Sequence, residues 1–276
     1  MRRVPTVLLA LSLLALAVPA RSDVIAYLRF EENGGATAFD ETGLLDGELV
    51  QFGDTSPGVG DSGIRGWSTS VPSSTVPLTG QTNTGSIRFA GGAEFIDLSN
   101  GLDLSMGSTF TIEFYMKPDQ PVIGSPIFGF APNSELYLSL IVDGGSLAWY
   151  PQFQSEQDLA PADLVTTGEW QHVALVLQPS EYSIYVDGLL QYNGSIPTGG
   201  EGPYFFPGTD ITGDRTIGGE SGTWRGYIDE FRISDEALTP DQFLIAVPEP
   251  DTIGLLGIGM CWIVVRCLRG SSRDAI

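Results

Sequence analysis

Apolar and polar residues alternate with a period of two through most of this chain. In "STFTIEFYMKP", Phe110, Ile112, Phe114 and Met116 fall on one side and Thr109, Thr111, Glu113, Tyr115 and Lys117 on the other. That is the pattern of a strand with one face buried and one face wet. The stretches "VIAYLRF" (24–30), "SIRFAG" (86–91), "ELYLSLIVDG" (135–144), "EWQHVALVLQ" (169–178), "EYSIYVDGLLQY" (181–192) and "GYIDEFRIS" (226–234) read as strands as well. Turn residues punctuate them: Asp143-Gly144, Pro179-Ser180 and Asp187-Gly188. Asp187-Gly188, set between "YSIYV" and "LLQY", is the strongest hairpin signal. Helical periodicity is confined to "SDEALTPDQFLIA", where Thr239 suits a cap and Pro240 a first helical position. Many strands with almost no helix predict an all-β fold, a two-sheet antiparallel β-sandwich of the jelly-roll kind.

Two segments break the pattern. Residues 53–83 are rich in Gly, Ser, Thr and Pro and read as a long surface loop inserted in the sandwich. They do not read as an interdomain linker, because the single strand before them cannot form a domain and must pair further along the chain. The second exception is the two ends. Met1-Arg2-Arg3, an apolar run from Val7 to Val18 and the small residues of "PARSD" have the order of a Sec signal peptide, assigned to residues 1–22. At the other end an apolar stretch from Ile253 to Val265, predicted as a helix, is followed by Arg266, Arg269 and Arg273. It is short of the roughly 20 residues a comfortable span needs, and three glycines loosen it. The arginines would keep that end cytoplasmic, so the body is expected outside the cell, with the tail crossing the inner membrane transiently.

Charge narrows the function. The formal net charge is −21, from 13 basic and 34 acidic residues. Six of the arginines lie in the two terminal segments, leaving seven basic residues between 23 and 246. A nucleic-acid partner is excluded, since phosphates need cations that this body lacks. Both cysteines, Cys261 and Cys267, sit in the tail, so the body holds neither a disulfide nor a thiolate metal site. A lone histidine, His172, lies on an apolar strand and reads as structural. Zinc is disfavoured by that single His, and no nucleophile-elbow motif is present.

Two resemblances add to this reading. Pro248-Glu249-Pro250, an apolar Gly/Leu-rich stretch and terminal arginines including Arg266 and Arg269 resemble the PEP-CTERM sorting signal of Gram-negative bacteria. The resemblance implies processing of residues 247–276 by an exosortase-type enzyme and delivery to the cell surface or extracellular space. The arginine cluster departs from the usual pattern in being interrupted by Cys267, Leu268, Gly270, Ser271 and Ser272.

The body, 23–246, resembles a LamG-like jelly roll of the concanavalin A-like lectin/glucanase superfamily. Three blocks carry the likeness, in family order: "VIAYLRFEENGGATAFDETGLLDGEL", "GEWQHVALVL" with "YSIYVDGLL", and "GYIDEFRISDEALTPDQF". The resemblance implies a structural calcium near the loop after the first strand, with Asp40, Gly43, Asp46 and Asp229 as its candidate site; Glu41, Leu44 and Leu45 depart from the family pattern there. A solvated acidic turn is the alternative. Laminarinase-like members carry paired carboxylates on one strand face; here Glu94-Phe95-Ile96-Asp97 has the wrong spacing, and Asp229-Glu230 should point to opposite faces. Catalysis is therefore disfavoured, and no catalytic residue is assigned. Sugar-binding aromatics are expected in or beside loops, with Trp149, Tyr150, Tyr204 and Trp224 as candidates and Trp170 read as core. The favoured function is an exported, non-enzymatic module binding an extracellular polysaccharide or surface protein. A glycoside hydrolase or lyase and a purely structural matrix component are the alternatives.

Overall fold

The computed structural model describes residues 24–92, 94–98, 109–119, 125–131, 138–143, 146–150, 164–195, 214–217 and 224–246. The segments expected to form a signal peptide and a tail helix, with the triplet Pro248-Glu249-Pro250 and Arg266 and Arg269, lie outside the described residues. Among the described residues no helix is long and apolar enough to cross a membrane.

Among the described residues, fifteen strands follow one another: β1 Val24–Leu28, β2 Thr37–Ala38, β3 Gly47–Val50, β4 Gly66–Ser68, β5 Ser86–Ala90, β6 Phe95–Asp97, β7 Phe110–Pro118, β8 Ser125–Ala131, β9 Leu138–Asp143, β10 Ser146–Tyr150, β11 Gln171–Leu177, β12 Glu181–Val186, β13 Leu189–Ser195, β14 Asp214–Ile217 and β15 Arg225–Ser234. They form two antiparallel sheets. The first runs β13-β12-β11-β7-β15-β5-β4, with β1 also on β15; the second runs β10-β9-β8-β14-β6-β3-β2. The first and last segments of the body thus meet at the centre of one sheet, which closes the sandwich.

The period-two pattern places the core. Phe110, Ile112, Phe114 and Met116 of β7, Val173, Leu175 and Leu177 of β11, and Ile228, Phe231 and Ile233 of β15 face Leu49, Ile96, Ile127, Leu147 and Ile217 of the second sheet in one apolar cluster. Asp187-Gly188 makes the β12–β13 hairpin as expected, both residues taking positive φ (50° and 75°). Pro240–Gln242 is a single 3-10 turn, capped by Thr239 in a capping box with Gln242.

Two expectations are corrected. Residues 53–83 are more than a surface loop: they contain a 3-10 turn, Val59–Ser62, and the strand β4, which extends the first sheet and buries Trp67 completely. And β7 is buried on both faces. Thr111, Glu113 and Tyr115, expected in water, are covered. The cover is made by residues 235–246 and by the end of the insertion. Thr111 Oγ1 donates to the Glu236 carbonyl (2.7 Å) and accepts from Leu238 N–H (2.9 Å), while Leu78 N–H donates to the Leu244 carbonyl (3.1 Å). Leu238 and Phe243 pack on Ala174 and Val176; Val76 and Leu244 pack on Tyr27 and Tyr115.

Glu113 fastens this cover. Its Oε1 accepts from Arg232 Nε (2.7 Å) and Nη2, and its Oε2 pairs with His172 Nε2 (2.8 Å) and accepts from Leu244 N–H (2.8 Å). Arg232 also donates to the Gln242 carbonyl (2.8 Å). Burial alone would raise the Glu113 carboxyl, but the His172 hydrogen bond, the Arg232 charge and the Leu244 N–H hold it below the usual glutamate range. A carboxyl so depressed adds stability above its unfolded value of about 4.3 and loses it as pH falls through the folded value. Glu113→Ala, which leaves buried Arg232 and His172 uncompensated, should cost about 3–5 kcal/mol in urea unfolding near neutral pH. The gap between wild type and variant should shrink in acid; a gap independent of pH would show that the carboxylate charge is not what holds the cover.

Candidate binding face

The cover stops short of one end of the first sheet. There a row of cross-strand neighbours remains on the outer face: Gly66 of β4 opposite Arg88 of β5, Arg88 opposite Tyr227 of β15, and Tyr227 opposite Lys117 of β7. Trp170 continues the row, one residue before the Gln171–Met116 pair of β11 and β7. Period-two alternation sends these side chains outward, because their neighbours Ile87, Ile228 and Met116 are core. Gly226 keeps the row tight: its φ is +154°, and a Cβ there would stand 2.4 Å from the Lys117 carbonyl oxygen.

Trp170, Tyr227 and Lys117 are half-buried. The two rings lie 6.0 Å apart, tilted by 56°. Lys117 Nζ stands 5.1 Å from the Tyr227 centroid and 6.0 Å from that of Trp170, and reaches Ser70 Oγ at 3.3 Å. The Arg88 guanidinium sits over the Tyr227 ring at 5.5 Å. Asp119 at the end of β7 links Arg88 and Arg225, the latter at 3.7 Å. Aromatic faces edged by polar and charged groups can stack a sugar ring and hydrogen-bond its substituents.

Of the aromatics named from sequence, Trp224 is in the core, 1% exposed, and offers no platform. Trp149 and Tyr150 end β10 opposite Leu140 and Ser139; their side chains, like Tyr204, lie outside the described residues. Trp170, expected in the core, is half-buried: it packs against the cluster of Tyr27, Val76, Tyr115 and Leu244 and lies beside Tyr227. The pairing of β15 with β7 then supplies Tyr227 and Lys117, which are far apart in sequence.

Asp229 and Glu230 do not point to opposite faces. A bulge between Asp229 and Arg232, with Glu230 at φ 51°, puts both on the outer face. Glu230 accepts from Tyr27 and from Arg29 (3.0 Å), and Asp229 accepts from Asn83 Nδ2 (2.8 Å). Burial, then the neighbouring Glu230, pushes Asp229 well above the usual carboxyl range. Neither side chain is open to solvent.

The chain is similar throughout this body to known proteins. The family described as the concanavalin A-like lectin/glucanases superfamily matches residues 90–243, more than half of the sequence. The chain belongs to that superfamily. No curated protein matches the sequence significantly. Among solved structures, domain 4 of AbnA, a GH43 extracellular arabinanase from Geobacillus stearothermophilus in complex with arabinotriose, aligns with a TM-score of 0.57 at 20% identity, over 80% of this chain and 96% of that domain. The receptor binding domain of a botulinum neurotoxin C/D mosaic serotype aligns at 0.55 and 13% identity, over 80% of this chain and 50% of that one. Trypanosoma rangeli sialidase aligns at 0.53 and 14% identity, over 81% of this chain and 32% of the enzyme. At such identities the likeness establishes a shared fold, and this chain spans about half of the toxin domain and a third of the sialidase.

Superfamily membership raises the matter of calcium. Asp40 Oδ1 accepts from the N–H groups of Tyr27 (2.7 Å) and Thr42 (3.1 Å), and its Oδ2 from Thr42 Oγ1 and the N–H groups of Leu44 (3.1 Å) and Leu45 (3.0 Å). Asp46 Oδ1 accepts from Asp40 N–H (2.9 Å), and Gly43 closes the turn by donating to the Asp40 carbonyl (2.8 Å). Donors fill both Asp40 oxygens, whereas Asp229 Oδ2 accepts from Asn83 and its Oδ1 has no hydrogen-bond partner. Among the described residues no group of three or more His, Cys, Asp or Glu side chains is placed to hold a metal. The loop is instead closed by a carboxylate accepting backbone N–H groups, as in an Asx turn. Asp40→Ala should lower stability by on the order of 3 kcal/mol, and the wild-type melting midpoint should agree within about 1 °C in calcium and in chelator; a rise with calcium would reinstate a bound ion.

Proposed function

We propose that this member of the superfamily is an exported, non-enzymatic glycan-binding module of the bacterial cell surface or extracellular matrix. The half-exposed Trp170–Tyr227 pair, edged by Lys117, Ser70 and Asp119, is the observation that carries this reading. Two rings at that separation offer apolar surface to the C–H faces of a pyranose, and the surrounding donors and acceptors suit its hydroxyls. The bulge-paired Asp229 and Glu230 are buried and bound to Asn83, Arg29 and Tyr27. An acid/base pair working on a glycosidic bond must reach the substrate, and these two lie beneath the cover.

The two ends of the sequence support the location. In this reading the chain leaves the cytoplasm by the Sec route. The tail with Pro248-Glu249-Pro250, Arg266 and Arg269 crosses the inner membrane transiently, and an exosortase-type enzyme processes it.

A glycan array probed with the purified protein should show binding. Trp170→Ala should weaken it by at least about tenfold, the scale of losing one buried aromatic contact, while Trp170→Phe keeps most of it. No polysaccharide should yield reducing sugar. An array blank across all glycans, or binding indifferent to Trp170→Ala in a variant that melts normally, would reject the proposal.

A further inference from the structure

The charges of the body are unevenly placed. Of the seven basic residues between 23 and 246, Arg29 and Arg232 are committed to the buried carboxylates Glu230 and Glu113. Four of the others, Arg65, Arg88, Lys117 and Arg225, gather on or beside the row that holds Tyr227 and Trp170. Arg88 and Lys117 are in it, Arg225 precedes Gly226, and Arg65 precedes Gly66 at its end. Their carboxylate partners are two: Glu94 with Arg65 (3.3 Å), and Asp119 shared by Arg88 and Arg225. Among the described residues of this small area, four cations thus meet two carboxylate partners, in a chain of net charge −21.

Two donors there remain unfilled. Lys117 is the single lysine of the sequence. Its ammonium meets two ring faces and one serine hydroxyl at 3.3 Å, and no carboxylate among the described residues pairs with it. Ring quadrupoles attract a cation without neutralising it. Arg88 is 3% exposed, and its Nε has no hydrogen-bond partner. Its Nη atoms hold the Gly63 carbonyl and Asp119, which fixes the guanidinium over Tyr227. A buried guanidinium N–H without an acceptor is costly, and an unpaired ammonium beside it adds like-charge repulsion. An anionic group arriving beside Lys117 relieves that repulsion. The acidic remainder of the protein does not forbid this, because charges more than about 8 Å apart are largely screened at physiological ionic strength.

We infer that this face takes an acidic glycan, whose sugar ring lies on Trp170 and Tyr227 while its ring-borne anionic group is held by Lys117, with Arg88 and Arg225 alongside. The inference rests on the glycan-binding reading above and names the class of sugar: a uronate, or a sulfated sugar of the same charge. Lys117 supplies the charge selection and Trp170 the ring contact, so the two contributions separate experimentally.

The test is calorimetry on the full chain with four probes: an oligogalacturonate, the same oligomer after carboxyl reduction, dextran sulfate and dextran. The oligogalacturonate should bind at least about tenfold more tightly than its reduced form, the scale of one charge-assisted hydrogen bond. That advantage should diminish as salt rises from about 50 to about 300 mM. Lys117→Met, which keeps the apolar stem, should abolish most of the advantage, lowering affinity for the charged oligomer far more than for the reduced one. Lys117→Arg should restore it, which guards against loss through misfolding. Lys117-dependent binding of dextran sulfate but not of dextran assigns the anion as a sulfate or as either group; its absence beside oligogalacturonate binding assigns a carboxylate. Equal affinity for the charged and reduced oligomers overturns the inference and leaves the glycan-binding reading standing. Failure of all four probes, together with a blank glycan array, overturns both.

Discussion

One buried carboxylate organises the outer side of this sandwich. Glu113 stands in the middle of the central strand β7 and receives hydrogen bonds from Arg232 on β15, His172 on β11 and the Leu244 N–H of the closing segment. A charge so far from water is tolerable because a guanidinium, an imidazole and a backbone N–H surround it. In return it joins three strands, adjacent in space and distant in sequence, to residues 235–246. Those residues cover part of a sheet face that would otherwise be wet. Removing the carboxylate would strand a guanidinium and an imidazole beneath an apolar lid.

The bulge in β15 extends this arrangement towards the binding face. β15 pairs with β1 through its last residues and with β5 through its first, and the extra residue falls where the partner changes. Glu230 is swung to the outer side, where Arg29 and Tyr27 take it up, and Asp229 is left to Asn83 at the end of the insertion. The insertion is thereby drawn down onto Tyr115 and Leu244. The closing segment covers one part of the outer face and the insertion another, and Tyr227, Lys117 and Trp170 stay half-exposed beside them.

Much of the fold was legible because strand periodicity is a local signal. The apolar sides of β7, β11 and β15, the Asp187-Gly188 hairpin and the Thr239 cap each depend on residues a few positions apart, and each occurs where the pattern puts it. The wet side of β7 was misjudged for the opposite reason. Glu113 and Tyr115 are polar, and polarity is the ordinary mark of exposure; only segments distant in sequence, 59, 119 and 131 residues from Glu113, show that partners bury them. Residues 53–83 read as a loop because Gly, Pro and Ser dominate them, yet β4 holds its edge position through backbone pairing and the burial of Trp67, which composition does not reveal.

Local order in this protein, namely strand spacing, turn chemistry, the acidic balance and the scarcity of cations, was determined by the sequence alone, since it follows from side-chain type and near neighbours. The tertiary structure decided which polar residues are buried and which aromatics face out. It moved Asp229 and Glu230 to one face by a single bulge, filled the oxygens of Asp40 with N–H donors, and sent Trp224 into the core and Trp170 outward. It also set the single lysine beside two rings, Trp170 just before β11 and Tyr227 on β15. The physical reason is the same in each case: burial and pairing depend on strand order and register, which join residues that the chain keeps far apart.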